Sequence, residues 1–100
     1  MTDEGIYGEL QRHLDKLPIG YPPTDSGIEI RILKHLFTPE EAAVATCLSL
    51  TTEPLGVIHP RAREKIAISV QTLEQLLDGM VRKGTILTRS ERGEKYYGNA

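Results

Sequence analysis

Four polar residues, Gln71, Gln75, Asp78 and Arg82, recur at spacings of four, three and four, so a helix would carry them along one face. Glutamine can bond the edge of an adenine through two hydrogen bonds, and arginine that of a guanine. Just downstream, Arg89, Arg92 and Lys95 offer cations for phosphate or minor-groove contacts. A nucleic-acid reading would use Gln71, Gln75, Arg82, Arg89, Arg92 and Lys95. The charge works against it. Residues 69–98 hold five basic residues (Arg82, Lys83, Arg89, Arg92, Lys95) against four acidic ones (Glu74, Asp78, Glu91, Glu94), a balance of +1 in a chain of net charge −2. Phosphate contacts supply most of the affinity of a DNA-binding surface, and so faint a basic footprint reads better as a solvated face. Asp78 also precedes Arg82 by four residues, the spacing of a helical ion pair.

Other chemistry has less to stand on. His13, His35 and His59 do not pair with one another or with Cys47 at a metal-ligand spacing. No glycine-rich phosphate loop and no nucleophile motif occurs. Cys47 lies in an apolar run without a charged neighbour to lower its pKa, so it reads as a small buried side chain rather than a nucleophile. No catalytic, metal-binding or cofactor-binding residue is assigned, and the chain does not read as an enzyme.

The elements that would position the polar face come next. Val70, Leu73, Leu77, Met80 and Val81, with Leu76 at the edge, predict an amphipathic helix. Ser69 would cap it, Arg82 and Lys83 suit its C-terminal dipole, and Gly84 would end it in a left-handed turn. The apolar period then changes to alternation. Thr85–Arg89 reads as a strand, Ser90-Glu91-Arg92-Gly93 as a turn and Glu94–Tyr97 as the returning strand. A helix that halts at glycine and runs into a hairpin has the form of the last helix and wing of a winged helix-turn-helix.

Upstream, Ile6, Leu10, Leu14 and Leu17 predict a helix over 6–17 that ends at Pro18 and Gly20, with Arg12, His13 and Lys16 on its wet face. Residues 18–24 form a stiff connector with Tyr21 as its anchor. Ser26 and Glu29 have capping-box spacing and would start a second helix that buries Ile28, Ile32, Leu33 and Leu36, broadened by Ile30 and Phe37. Thr38-Pro39-Glu40-Glu41 is a stronger start signal, with cap, first-turn proline and a second capping box, for a helix running to Leu50. Thr52 would cap a fourth helix, in which Leu55, Ile58, Ala62 and Ile66 face inward and Pro60 should cause a kink or a split near Ile58. Ile66–Ile68 would turn the chain into the Ser69 helix.

The expected architecture is therefore mainly α (α+β): a winged helix-turn-helix with two extra N-terminal helices and a C-terminal β-hairpin wing. The 100 residues are expected to form one domain, with helix and Pro-rich connector over 1–25, helical core over 26–84 and wing over 85–98. Hydrophobic content of 39% and charged content of 26% suit a globular protein. No apolar run approaches the ~20 residues of a membrane span, the acidic start has no signal-peptide character, and one cysteine suits a reducing compartment. A cytoplasmic location is the expectation, with no membrane partner.

The run from Leu17 to Leu33, followed by Leu36-Phe37-Thr38-Pro39-Glu40-Glu41-Ala42, resembles the N-terminal region of bacterial 4Fe–4S ferredoxin-type proteins. In that family a helical, winged-helix-like region precedes a cysteine-rich cluster-binding domain. The resemblance extends over essentially the whole chain; Leu36–Ala42 is its most specific part, and Pro60 and the wing match more loosely. Cys47 stands alone, without the cysteine runs that ligate clusters. The resemblance thus implies an excised N-terminal domain with no cofactor of its own, whose parent binds 4Fe–4S clusters and moves electrons. It implies a non-catalytic docking role, with the parent's cluster domain, a redox partner or a second copy as protein partner. A DNA-binding transcriptional regulator is the less favoured alternative. The two differ in expected behaviour: DNA binding weakens steeply with salt, whereas a docking surface is an apolar patch rimmed by polar groups.

Overall fold

The computed structural model describes residues 4–17 and 20–99. Its elements are α1 (Glu4–Asp15), α2 (Ile28–Leu36), α3 (Pro39–Ala45), β1 (Glu53–Pro54), α4 (Leu55–Arg63), α5 (Val70–Lys83), β2 (Ile86–Glu91) and β3 (Glu94–Asn99). They make a small α+β domain in which five helices pack with a three-stranded antiparallel sheet of order β1-β3-β2. The core is drawn from every helix and from the sheet: Leu10, Leu33, Val44, Ile58, Leu73, Leu77, Met80 and Tyr97 are among its buried members.

Where local signals were strong, the backbone follows them. Thr38 Oγ1 accepts from Glu41 N (3.2 Å) while Glu41 Oε1 accepts from Thr38 N (2.9 Å), so the second capping box forms in full. Ser69 Oγ accepts from Thr72 N, and Gly84 closes α5 at φ 82°. Three buried residues of the expected stripe, Leu73, Leu77 and Met80, seat α5 on the core, while Val70 at its first turn is exposed. Tyr21 anchors the connector, donating its hydroxyl to Glu29 O at 3.0 Å.

Several expectations need correction. Helix α1 stops at Asp15, short of Leu17; Pro18 lies outside the described residues. Tyr7 and Gln11 join Leu10 on its buried side, because each finds a carbonyl there: the Tyr7 hydroxyl donates to Phe37 O (2.6 Å) and Gln11 Nε2 to Tyr21 O (2.7 Å). His13 does not sit on a wet face. Its Nε2 lies 2.6 Å from Leu48 O and 3.1 Å from Asn99 Nδ2, and this joins α1 to the end of the sheet.

The first capping box does not form. Gly27, at φ 73°, is the N-cap of α2, and Glu29 accepts from the N–H (3.1 Å) and hydroxyl (2.6 Å) of Thr24 instead of reaching Ser26. Of the four residues expected to form the α2 stripe only Leu33 is buried, although Phe37 at the C-cap joins it in the core and Ile30 packs partly against it. Ile28, Ile32 and Leu36 are 43%, 44% and 43% exposed, because α2 packs chiefly on α1 and presents those three outward.

Helix α3 ends at Ala45 rather than Leu50. Thr46 Oγ1 donates back to Ala43 O, Cys47 N and Leu48 N bond three residues back, and Ser49 Oγ donates to Thr51 O. Hydroxyl side chains compete in this way with the helical ladder. Thr52 does not cap α4. Pro54 is its N-cap, preceded by the short strand β1, whose Glu53 and Pro54 stand opposite Tyr97 and Tyr96 of β3. Proline is tolerated there because the strand lies at the sheet edge. Nor does Pro60 split α4, which runs unbroken to Arg63. Ile58 and Ala62 on either side of Pro60 are fully buried, and His59 Nε2 lies 2.9 Å from Ile68 O, so tertiary contacts hold the turn that lacks one backbone donor.

The hairpin is longer and tighter than expected. Ile86 pairs with Asn99 at one end and Glu91 with Glu94 at the other, which leaves Arg92 and Gly93 as a two-residue turn. Both have positive φ, 54° and 82°, as the hairpin turn whose twist matches the strands requires. Near the open end, a Cβ on Gly98 would stand 3.0 Å from Ser49 O and 3.2 Å from Thr52 Cα, so glycine lets β3 run against residues 49–52.

Candidate functional site

Helix α5 and the hairpin are joined through carboxylates of α5, chiefly that of Asp78. Asp78 Oδ1 accepts from the Tyr97 hydroxyl at 2.6 Å, and Asp78 Oδ2 from Lys95 Nζ at 2.8 Å. Lys95 Nζ also lies 3.2 Å from Glu74 Oε2, one turn earlier on α5. Burial acts to raise the pKa of Asp78, but the two hydrogen bonds and the charges of Lys95 and Arg82 outweigh it and leave the carboxyl below its usual range. Lys95 is shifted up by its hydrogen bonds to Asp78 and Glu74. Tyr97 is pushed up to about 12, first by burial and then by its bond to Asp78. The consequence is mutual neutralisation: the carboxylates of α5 already hold the cation that a nucleic acid would need.

The six residues of the nucleic-acid reading are only partly gathered. Gln71, Gln75 and Arg82 are exposed on α5. Lys95 stands beside them but is held by Asp78 and Glu74. Arg89 is placed elsewhere. Residues opposite one another in an antiparallel pair share a face, and successive residues alternate. Register puts Thr88 with Tyr97 and Ser90 with Lys95 on the face toward α5, but Arg89 with Tyr96 on the other. There the Arg89 guanidinium lies 4.2 Å from the Tyr96 ring centroid and bonds Thr52 Oγ1 and Glu91 Oε2. Arg92 is exposed at the hairpin turn. A cleft of about 240 Å³ between α5, α4 and the hairpin is lined by Leu55, Glu74, Gly93, Glu94, Lys95 and Tyr97. With two glutamates in its wall it is poorly suited to a polyanion.

A second surface was hidden by the sequence pattern. Ile28, Ile32 and Leu36, spaced by four, form an exposed apolar ridge along α2. Beside it runs a largely apolar groove of about 270 Å³, walled by Leu14, Tyr21, Ile32, Leu36 and Phe37 and closed by residues 83–85 at the end of α5. Lys83 at that end is paired with Glu41 at 2.5 Å. On the other flank of the ridge Arg31 and His35 are exposed. The one acidic residue of α2, Glu29, is buried, and its hydrogen bond from Thr24 lowers its pKa. No charge signal marks this face in the sequence: Arg31 and His35 come near the ridge, but Lys34 falls roughly 160° round the helix from Ile32.

Among the described residues no three His, Cys, Asp or Glu side chains gather to hold a metal ion. Cys47 is buried, with Sγ 3.6 Å from both Ala43 O and Arg61 O, and burial pushes its thiol up, away from the thiolate a metal needs. This environment and a single cysteine do not fit a 4Fe–4S cluster, which takes four thiolates. Among the described residues no helix is long and apolar enough to cross a membrane. No protein family, curated protein or solved structure matches the chain.

Proposed function

We propose that the chain is a winged-helix docking domain of a 4Fe–4S ferredoxin-type electron-transfer protein, without catalytic residues of its own. The succession α3-β1-α4-α5-β2-β3 with sheet order β1-β3-β2 supports the winged-helix reading, α5 standing as the recognition helix and β2–β3 as the wing. The electron-transfer context rests on the sequence resemblance over Leu17–Ala42. The observation that carries docking is the ridge of Ile28, Ile32 and Leu36 beside its groove: three large aliphatic side chains in line, each more than two-fifths exposed, rimmed by polar groups. The test is a titration of the ¹⁵N-labelled chain with a soluble 4Fe–4S ferredoxin, whose paramagnetic cluster broadens nearby amide signals. Broadening centred on residues 28–36 is expected; an unperturbed spectrum overturns the reading.

A DNA-binding regulator is the second reading, favoured by the exposure of Gln71, Gln75 and Arg82 on one helix. It is weakened by the capture of Lys95 and by the turning away of Arg89. A gel shift on duplex DNA at roughly 0.15 M salt separates the two. No retention is expected; retention that falls steeply with salt, and with Gln75→Ala and Arg92→Ala, replaces docking by the regulator.

A further inference from the structure

We draw no further inference here: the strongest candidate, the exposed ridge of Ile28, Ile32 and Leu36 along α2 with the apolar groove beside it, carries none, because nothing in the structure shows what covers it.

Discussion

On α5, Leu73, Leu77 and Met80 are wholly shut from solvent, whereas on α2 Ile28, Ile32 and Leu36 keep over two-fifths of their surface. Both helices are amphipathic, and both put large aliphatic residues at helical spacing. The polar faces differ as well. That of α5 is partly consumed inside the molecule, since Asp78 and Glu74 hold Lys95, and Asp78 holds Tyr97. That of α2 carries Arg31 and His35 at the surface. An apolar stripe therefore states that a face favours burial, without stating what will cover it. On α5 the cover is the core of the same chain. On α2 the same spacing stays at the surface.

The sharpest way to break this contrast is to shorten one residue from each stripe. Leu77→Ala should cost about 3 kcal/mol, because it opens a cavity in a close-packed interior. Ile32→Ala should cost less than about 1 kcal/mol, because much of its surface is already wet. Urea denaturation of the two variants measures both. Equal losses would mean that the α2 ridge is covered by this chain and that the contrast is false.

The polar side of the comparison is tested at Asp78. Tyr97→Phe removes one donor and should cost about 1 kcal/mol. The pH dependence has a defined sign. Tyr97 and Lys95 both have raised values in the folded chain, so the stability they confer is complete below pH 10. It is lost as pH climbs from there through about 12, the value of Tyr97. Asp78 is lowered, so its contribution is present above its ordinary value of 3.8 and is lost as pH falls below that. Melting temperature followed across both limbs reads this out, and Tyr97→Phe should flatten the alkaline limb. An unchanged alkaline limb in that variant would mean that the Tyr97–Asp78 hydrogen bond confers no stability.

The smallest effect compares two caps. Thr38→Ala should destabilise by about 1 kcal/mol, while Ser26→Ala should stay within about 0.5 kcal/mol. Thermal melts of the two decide whether α2 is started by Gly27 and Thr24, as the geometry has it, or by the Ser26 box.

Those two caps show what was legible. Thr38-Pro39-Glu40-Glu41 combines three local preferences that agree, so nothing beyond the tetrapeptide is needed to start α3. Ser26 and Glu29 have the same spacing, but Gly27 lies between them and adopts a left-handed conformation, and Thr24 offers Glu29 two donors. Similarly, the end of α5 and the existence of the hairpin were readable because Gly84 and the change of period act locally. The two-residue strand β1 was not, since two residues hold no period; it exists only because β3 lies alongside. Spacing alone puts His13 on the wet side of α1, yet Leu48 O and Asn99 from distant parts of the chain give it partners. For the candidate site, the exposure of Gln71, Gln75 and Arg82 was legible from helical period. The separation of Arg89 from Lys95 required the strand register, which a shift of one residue would have inverted.

By itself the sequence determined the helices at α3 and α5, the glycine stop, the hairpin, the near-neutral charge of that C-terminal unit and the lone cysteine. These depend on neighbours within a turn or two of chain, where capping, period and backbone freedom act. Only the tertiary structure decided which stripe is core and which is surface, which cations are already taken and where β1 pairs. Those outcomes are set by contacts between residues far apart in the chain, and a pattern of apolar and polar letters carries no record of which partner arrives first at a given face.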